Sequence, residues 1–191
     1  MDTHKTIIGF ILCCSFLIGL AGCGGSVRVG DNAPRYLTSN IHAQQQEKEM
    51  KASYANWTNP GAGHVIIPVN TPVIVDTVRR DLSIVTRDTN KTIYFEFDEG
   101  KMGMTNAQYI NIIASPQPTN LNHLSAVDRK GINEGKVYTG MTKEGVRIAL
   151  GYPAVHKTPS LNSNTWYYWT NRWKSFAVQF DNTGKVSTVI K

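Results

Sequence analysis

The side chains that could carry out catalysis are few and scattered along this 191-residue chain. It has three cysteines and five histidines, and no two histidines have the helical spacing that would place two metal ligands on one face. The His-Glu-x-x-His and Cys-x-x-Cys spacings of zinc sites are absent from the sequence. We therefore expect no metal site and no cofactor. The histidines are His4, His42, His64, His123 and His156.

Nucleophilic catalysis would need a serine or cysteine beside a base. The sequence has no Gly-x-Ser-x-Gly motif, and its cysteines, Cys13, Cys14 and Cys23, all lie near the start of the chain. Asp98 and Glu99 form an acidic pair, but neighbouring residues at a strand end point to opposite faces, so we interpret the pair as a solvated turn. We expect a protein that is not an enzyme.

The unusual concentration of side chains is aromatic, and it lies between positions 166 and 174. Alternate residues of a strand face opposite sides, so one set would pack on helices and the other would meet solvent or a partner. Exposed Trp and Tyr beside Arg is typical of protein interfaces, and it also suits lipid headgroups or sugar rings. The alternative is that another part of the chain covers the second face. The aromatic residues of the cluster are Trp166, Tyr167, Tyr168, Trp169 and Trp173, and its basic residues are Arg172 and Lys174. The predicted partner-binding residues are Trp166, Tyr168, Trp169, Arg172 and Trp173.

The first 22 residues predict a secretory signal peptide. Lys5 precedes an apolar run, 7–20, that is short for a membrane span and ends in small residues. Leu20-Ala21-Gly22-Cys23 is similar to the lipobox of bacterial lipoproteins, which makes Cys23 the predicted lipid-attachment site. The residue after the cysteine is Gly24 rather than Asp, which resembles the sorting signal of lipoproteins sent to the outer membrane rather than retained in the inner membrane. The alternative is an ordinary signal peptide followed by an incidental cysteine.

Charge is distributed unevenly in a chain of formal net charge +6. Residues 54–119 carry five basic and six acidic side chains, whereas residues 120–191 carry ten basic and four acidic ones. The basic half could face anionic lipid headgroups or acidic partners. Alternatively, its lysines only keep the domain soluble. The export signal argues against nucleic acid as a partner.

Residues 23–53 are predicted to be a lipidated tether. The stretch 44–49 is polar and can bury little, and a short helix is expected over 41–51. With its one remaining cysteine acylated, the mature chain would have no thiol for a disulfide, so its stability must come from a hydrophobic core.

Residues 54–119 predict a small β-meander or barrel closed by one helix. Apolar and polar residues alternate in three segments, which is typical of half-buried antiparallel strands. Thr105 can cap a helix that continues to Ser115. The three alternating segments are 73–78, 82–86 and 93–97.

A boundary is expected at the proline-containing segment 116–120, and residues 120–191 predict a second, α+β domain. Two helices would cover one face of a three-stranded antiparallel sheet. Asp181-Asn182-Thr183-Gly184 has the composition of a hairpin turn between the last two strands. The predicted helices are 126–133 and 142–150, and the predicted strands are 166–170, 176–180 and 186–190.

The second of these helices has both ends marked in the sequence. Thr142 is a suitable N-cap, Val146 and Leu150 share one apolar face, and Gly151 and Pro153 end the helix. These residues resemble the SmpA/OmlA (BamE-like) family of outer-membrane lipoproteins. The family pattern is Gly-Met-Thr, three residues, Val, two residues, Ala-Leu-Gly, one residue and Pro. It is met by the structural motif Gly140, Met141, Thr142, Val146, Ala149, Leu150, Gly151 and Pro153.

The strands after this motif extend the resemblance. Thr165-Trp166-Tyr167 and the segment 180–186 match the strands that follow the motif in the family, so that the resemblance covers residues 125–190. Residues 54–119 have no counterpart in short members of the family. The shared residues cap, pack and turn the chain, and they are not chemically reactive.

The resemblance implies a fold like that of BamE and of β-lactamase inhibitory proteins, in a lipoprotein anchored in the outer membrane and facing the periplasm. It also implies a non-catalytic scaffold that docks on an envelope protein, such as a component of the β-barrel assembly machine. The alternative is a binding module for peptidoglycan glycan or anionic lipid headgroups. An enzyme-inhibitor role rests on analogy of fold alone.

Overall fold

The computed structural model describes residues 34–47 and 49–191, and the predicted signal peptide and Cys23 lie outside the described residues. The strands of the described part are β1 (Arg35–Leu37), β2 (Ile41–Gln46), β3 (Glu49–Ser53), β4 (His64–Ile67), β5 (Pro72–Val78), β6 (Asp81–Thr86), β7 (Thr92–Glu96), β8 (Ala114–Ser115), β9 (Thr165–Trp169), β10 (Ser175–Phe180) and β11 (Val186–Ile190). Its helices are α1 (Glu99–Met102), α2 (Asn106–Ile113), α3 (Ala126–Glu134) and α4 (Lys143–Leu150).

The first eight strands form one sheet in the order β4-β2-β3-β7-β6-β5-β1-β8. Strands β5, β6 and β7 are an antiparallel meander whose alternating apolar residues face the core, in the three segments where the sequence predicts strands. Strand β3 pairs with β7 in parallel. Within the described residues no pairing joins β4 to β8, so the strand pairings do not close this sheet into a barrel.

The predicted tether is wrong for its described part, because residues 35–53 supply three strands of this sheet. Leu37, Ile41 and Met50 are buried in the first core, and the apolar positions on β2 and β3 recur with period two. The helix expected over 41–51 is therefore also wrong. In the polar run 44–49, Gln46 pairs with Glu49 across a hairpin. The side chains of Gln46, Glu47 and Glu49 are exposed and those of Gln44 and Gln45 half-buried, so these polar residues do not prevent strand formation.

The second sheet is antiparallel, in the order β11-β10-β9, and it packs with α3 and α4 around a second core. The α+β class predicted from the sequence is confirmed. Helices and strands of this half begin and end within two residues of their predicted bounds. The fully buried side chains of this core include Met141, Val146, Ile148, Leu150, Trp166, Tyr168 and Val178.

The two cores touch through a few residues that cross between the two halves. Ala154, after α4, is buried in the first core, and Tyr152, Val155 and Trp169 pack against it. Val69, from the first half, packs against the second core. The described helices include none that is long and apolar enough to cross a membrane.

Candidate interaction site and its supporting framework

Asp128 is a fully buried carboxylate that links the starts of α3 and α4. Its Oδ2 accepts a hydrogen bond from the Ser125 hydroxyl (2.7 Å), and its Oδ1 accepts one from the Thr142 backbone N–H (2.7 Å). Ser125 is the N-cap of α3 and Thr142 is the N-cap of α4. One side chain therefore holds both caps, which fixes the two helices relative to each other.

The close approach of the two helices explains the glycine inside α4. A Cβ on Gly145 would lie 2.0 Å from Asp128 Oδ1, far inside van der Waals contact. A Cβ on Gly131, in α3, would lie 2.4 Å from the Met141 sulfur. Glycine lowers helix propensity by about 1 kcal/mol, but here it permits the contact between helices that the buried carboxylate requires.

The residues of the sequence motif around α4 have structural roles. Met141, Val146 and Leu150 are buried in the second core. Gly140 and Gly151 adopt φ angles of 87° and 86°, in the region that favours glycine. Thr142 caps α4 by accepting a hydrogen bond from the Gly145 N–H (3.0 Å), and Pro153 is buried just after the helix ends.

Asn40 and His42 join the first half to the carboxyl end of α4. The Asn40 side-chain amide donates to Ile132 O (2.7 Å) and to Ala149 O (3.3 Å), and its Oδ1 accepts from the Val69 N–H (2.9 Å). His42 Nε2 lies 3.0 Å from Ala149 O. Ala149 O and Ile132 O lie in the last turns of their helices, where carbonyls need partners outside the regular helical ladder, and Ile132 O also accepts from the N–H of the C-cap Gly135 (3.2 Å).

The ring of His42 also stacks on that of His64, with centroids 5.3 Å apart. Because a carbonyl only accepts, His42 Nε2 must carry a proton toward Ala149, and its Nδ1 is then the acceptor for His64 Nε2, 3.1 Å away. Burial lowers the pKa of His42 from 6.5 to about 4, and burial also lowers the pKa of His64. The sequence spacing of these histidines did not predict their contact, because adjacent strands bring them together.

Two of the predicted partner-binding residues cannot contact a partner, because Trp166 and Tyr168 are 2% and 1% exposed. Both face the second core, and the Tyr168 hydroxyl donates to Gly151 O (3.1 Å) beyond the end of α4. Burial raises the pKa of Tyr168. The strand alternates as its sequence predicts, since Tyr167 between them is exposed, but the prediction that Trp166 and Tyr168 bind a partner is wrong because they are on the buried face.

Trp169 is partly covered by the first half of the chain. Its ring stacks on His156 with centroids 5.5 Å apart, and it packs against the first core. The N–H of Thr58 donates to Trp169 O (2.9 Å), and the N–H of Asn59 donates to Thr170 O (2.8 Å). The first half therefore covers part of the outer edge of β9, as in the alternative considered from the sequence.

Trp173 and Arg172 are exposed at the tip of the β9–β10 hairpin. Trp173 is 87% exposed, and the Arg172 guanidinium lies 5.4 Å from the centroid of its ring. Asn171 Oδ1 accepts from the backbone N–H groups of Trp173 (2.9 Å) and Lys174 (3.0 Å). These bonds order the tip, so an exposed indole is presented on a defined turn.

Two shallow cavities of about 370 and 410 Å³ lie beside this tip, one lined by Lys101, Trp169 and Arg172 and the other by Lys157 and Trp169. Burial, and then the nearby charges of Lys101 and Lys157, lower the pKa of His156, which lines both cavities. We call this region the aromatic-basic surface; it consists of Lys101, His156, Lys157, Trp169, Arg172 and Trp173.

The side chains of Asp98 and Glu99 accept hydrogen bonds from backbone N–H groups at the starts of α1 and α2. Asp98 is the N-cap of α1 and accepts from the Lys101 N–H (3.0 Å), and this hydrogen bond is the main cause that lowers the pKa of Asp98. Glu99 accepts from the N–H of Asn106 (3.1 Å) at the start of α2. Within residues 34–47 and 49–191, no group of three or more His, Cys, Asp or Glu side chains is placed to hold a metal ion.

Sequence reasoning missed the residues that join the elements: Asn40, His42, His64 and Asp128. A signal for Asp128 was present, because Ser125-x-x-Asp128 has the spacing of a capping box. No comparable local signal exists for the other three, whose partners are distant in the sequence.

Residues 133–189 match the family model described as the outer membrane protein assembly factor BamE domain. The predicted resemblance of the C-terminal half to this family is confirmed. The match begins in α3 and ends in β11, so it includes α4 and the second sheet but none of the first sheet. No curated protein and no solved structure matches the chain.

Proposed function

We propose, from the premise that residues 133–189 form a BamE domain, that this protein is a non-catalytic docking factor in the assembly of outer-membrane proteins. The family match is the single observation that carries the proposal. In this proposal the chain is anchored at the outer membrane through an acylated Cys23, faces the periplasm, and docks on a component of the β-barrel assembly machine.

The aromatic-basic surface supports this role as the docking face. An ordered, exposed indole beside a guanidinium is the kind of anchor that contributes most of the energy at protein interfaces. Its cations would complement an acidic partner surface and speed association. The surface draws residues from both halves of the chain, since Lys101 precedes α2 and Arg172 follows β9, so docking would require both halves to be in place.

Trp173→Ala is expected to abolish most of the docking. A tryptophan that becomes buried when the partner binds contributes at least about 2 kcal/mol of binding free energy, so the affinity for the partner should fall about thirtyfold. The measurement is recovery of barrel-assembly components when the tagged full chain is purified from detergent-solubilised envelope. The hairpin tip is solvent-exposed, so thermal unfolding of the variant should match that of the wild type.

Tyr94→Ala is the matched control, because Tyr94 is an exposed aromatic residue on β7 that lines neither cavity of the aromatic-basic surface. It should recover the same components as the wild type. If the wild-type chain recovers no barrel-assembly component, the proposed partner is wrong. If Trp173→Ala recovers as much as the wild type, the partner binds another face.

Cys23→Ser is expected to release the protein from the membrane. A serine cannot form the thioether that carries the lipid, and without the acyl chains the anchoring energy of about 0.8 kcal/mol per buried CH₂ is lost. Fractionation should find the wild type in the outer membrane and the variant in the soluble fraction, and mass spectrometry should find acyl groups only on the wild-type amino terminus. A wild-type protein without acyl groups would contradict the anchor.

A second candidate function is binding of anionic lipid headgroups by the same surface. It is favoured by the Arg172 guanidinium beside the Trp173 ring and by Lys101 in the cavity that Arg172 also lines, since an indole with nearby cations suits the headgroup level of a membrane. Sedimentation with vesicles containing phosphatidylglycerol would separate the two functions. Binding to the vesicles that is weakened by salt and lost in Trp173→Ala or Trp169→Ala would favour the lipid function. If the protein does not sediment with the vesicles, the lipid function is wrong and protein docking is favoured.

A further inference from the structure

We propose that the outer face of the first sheet carries a binding site for a neutral oligosaccharide. A groove of about 550 Å³ lies on this face, and its apolar part is formed by Trp57, Val78 and Tyr94. We call it the sheet groove. Its volume falls in the range of small-ligand sites and would hold roughly two or three sugar units.

The aromatic part of the sheet groove is open to solvent. Tyr94 lies in the middle of the sheet, between Ser83 on β6 and Lys51 on β3, and it is 46% exposed. Val78, at the end of β5, is 47% exposed. Together with Trp57 these two side chains form an exposed apolar patch around the central Tyr94, and such a patch suits a ligand with an apolar face. The C–H face of a pyranose ring has this character.

The polar rim of the groove carries both signs of charge in equal number. Lys51 and Arg79 supply donors, and Asp81 and Glu96 supply acceptors. None of these four side chains takes part in an ion pair within the part of the chain that the structure describes. Because the charges balance, the groove does not favour an anion. Each sugar hydroxyl both donates and accepts, so it can pair with either kind of rim group.

Arg79 occupies an unusual backbone position at this rim. Its φ is 59°, in the left-handed region where Asn or Gly is usual, and it lies in the tight turn between β5 and β6. The turn thus holds a long donor side chain beside the exposed face of Tyr94 at a conformational cost.

The sheet groove adjoins the aromatic-basic surface, since Trp57 and Glu96 also line one of the cavities of that surface, but the two differ in charge. The groove lies on the first sheet, outside residues 133–189, and its charges cancel. The aromatic-basic surface has three cations, Lys101, Lys157 and Arg172, against two acids, Glu96 in one of its cavities and Asp98, which pairs with Lys101 (3.4 Å). A negatively charged ligand would therefore select the aromatic-basic surface, and a neutral hydroxyl-rich ligand would select the groove. The predicted glycan contact of the aromatic strand moves, in this proposal, to the other half of the chain.

The experiment is isothermal titration of the purified full chain with chitotetraose and, separately, cellotetraose. We expect binding of at least one tetrasaccharide, with little dependence on salt because the ligand is uncharged. Tyr94→Ala should weaken it about tenfold through loss of the stacking ring, and Tyr94→Phe should bind as the wild type does. Tyr167→Ala is the matched control, since Tyr167 is similarly exposed on the second sheet and should have no effect.

Glu96→Gln gives an independent test with little change in shape. It should also weaken the binding, because a carboxylate acceptor becomes an amide. Binding of neither tetrasaccharide, or binding that Tyr94→Ala leaves unchanged, would overturn the proposal. These outcomes are separate from failure of the docking function, which is read from recovery of barrel-assembly components and from Trp173→Ala.

Discussion

Asp128→Ala is expected to lower the free energy of unfolding by about 3 kcal/mol. The substitution removes a fully buried carboxylate and with it the acceptor of two part-buried hydrogen bonds, from the Thr142 backbone N–H and the Ser125 hydroxyl. It also uncouples the caps of α3 and α4, each worth about 1 kcal/mol. Urea unfolding followed by tryptophan fluorescence measures the loss. Asp128→Asn should cost less, because its amide oxygen can still accept one of the bonds.

Asp181→Ala is the matched control for this prediction. Asp181 accepts a similar set of hydrogen bonds, from the N–H and hydroxyl of Thr183 and the N–H of Lys185, but it lies in an exposed turn. Water can replace bonds lost there, so its effect should be much smaller. Equal losses for the two variants would show that burial of Asp128 contributes nothing.

Gly145→Ala tests the same contact from the other helix. Alanine has the higher helix propensity, so an isolated α4 would be stabilised, but in the protein the new methyl group would overlap the Asp128 carboxylate. We expect a loss of about 2 kcal/mol, as for overpacked cores. In the Asp128→Ala background most of that loss should disappear, because the overlapping carboxylate is gone. Additive losses would contradict a direct contact.

The stability of the protein is expected to fall between pH 6.5 and pH 4 because of His42. Burial lowers the pKa of His42 to about 4 in the folded state, whereas the unfolded chain binds this proton near pH 6.5. Above pH 6.5 both states are neutral and the group has no effect. As the pH falls toward 4 only the unfolded state gains the proton, which costs the folded state about 3 kcal/mol in total.

The geometry adds a specific reason for this pH dependence. A second proton on His42 would sit on Nδ1, where it would face the N–H of His64 at 3.1 Å and break the bond between the rings. Burial lowers the pKa of His64 as well, so it acts in the same direction. Glu134 and Lys136, which pair with each other (3.6 Å), are charged residues that line the same cavity of about 430 Å³ as His64.

Urea unfolding across this pH range measures the effect, and NMR titration of the imidazole signals locates it. His42→Gln should remove most of the slope, because glutamine can donate to Ala149 O but does not titrate. His123→Gln is the control, since His123 is exposed and pairs with Glu144 on the surface. An unchanged slope in His42→Gln would assign the pH dependence to other groups.

Much of the fold could be predicted because its signals are local. The alternating residues of β5, β6 and β7 and the marked ends of α4 lie within a few positions of one another, and each segment carries its own pattern. Strands β2 and β3 were not predicted, because the polar run 44–49 where they meet has the composition of a linker. Their assignment depends on the parallel pairing of β3 with β7, which lies more than forty residues away in the sequence.

The sequence by itself determined the periodicity of the second half, the caps and turns around α4, and the resemblance to the BamE domain, because these depend on neighbouring residues. Only the tertiary structure decided which aromatic residues are exposed, and that Trp173 is available while Trp166 is buried. It alone brought His42 to His64 and Asp128 to Thr142. Burial and polar contacts between distant elements depend on how sheets and helices pack, and no local pattern encodes that packing.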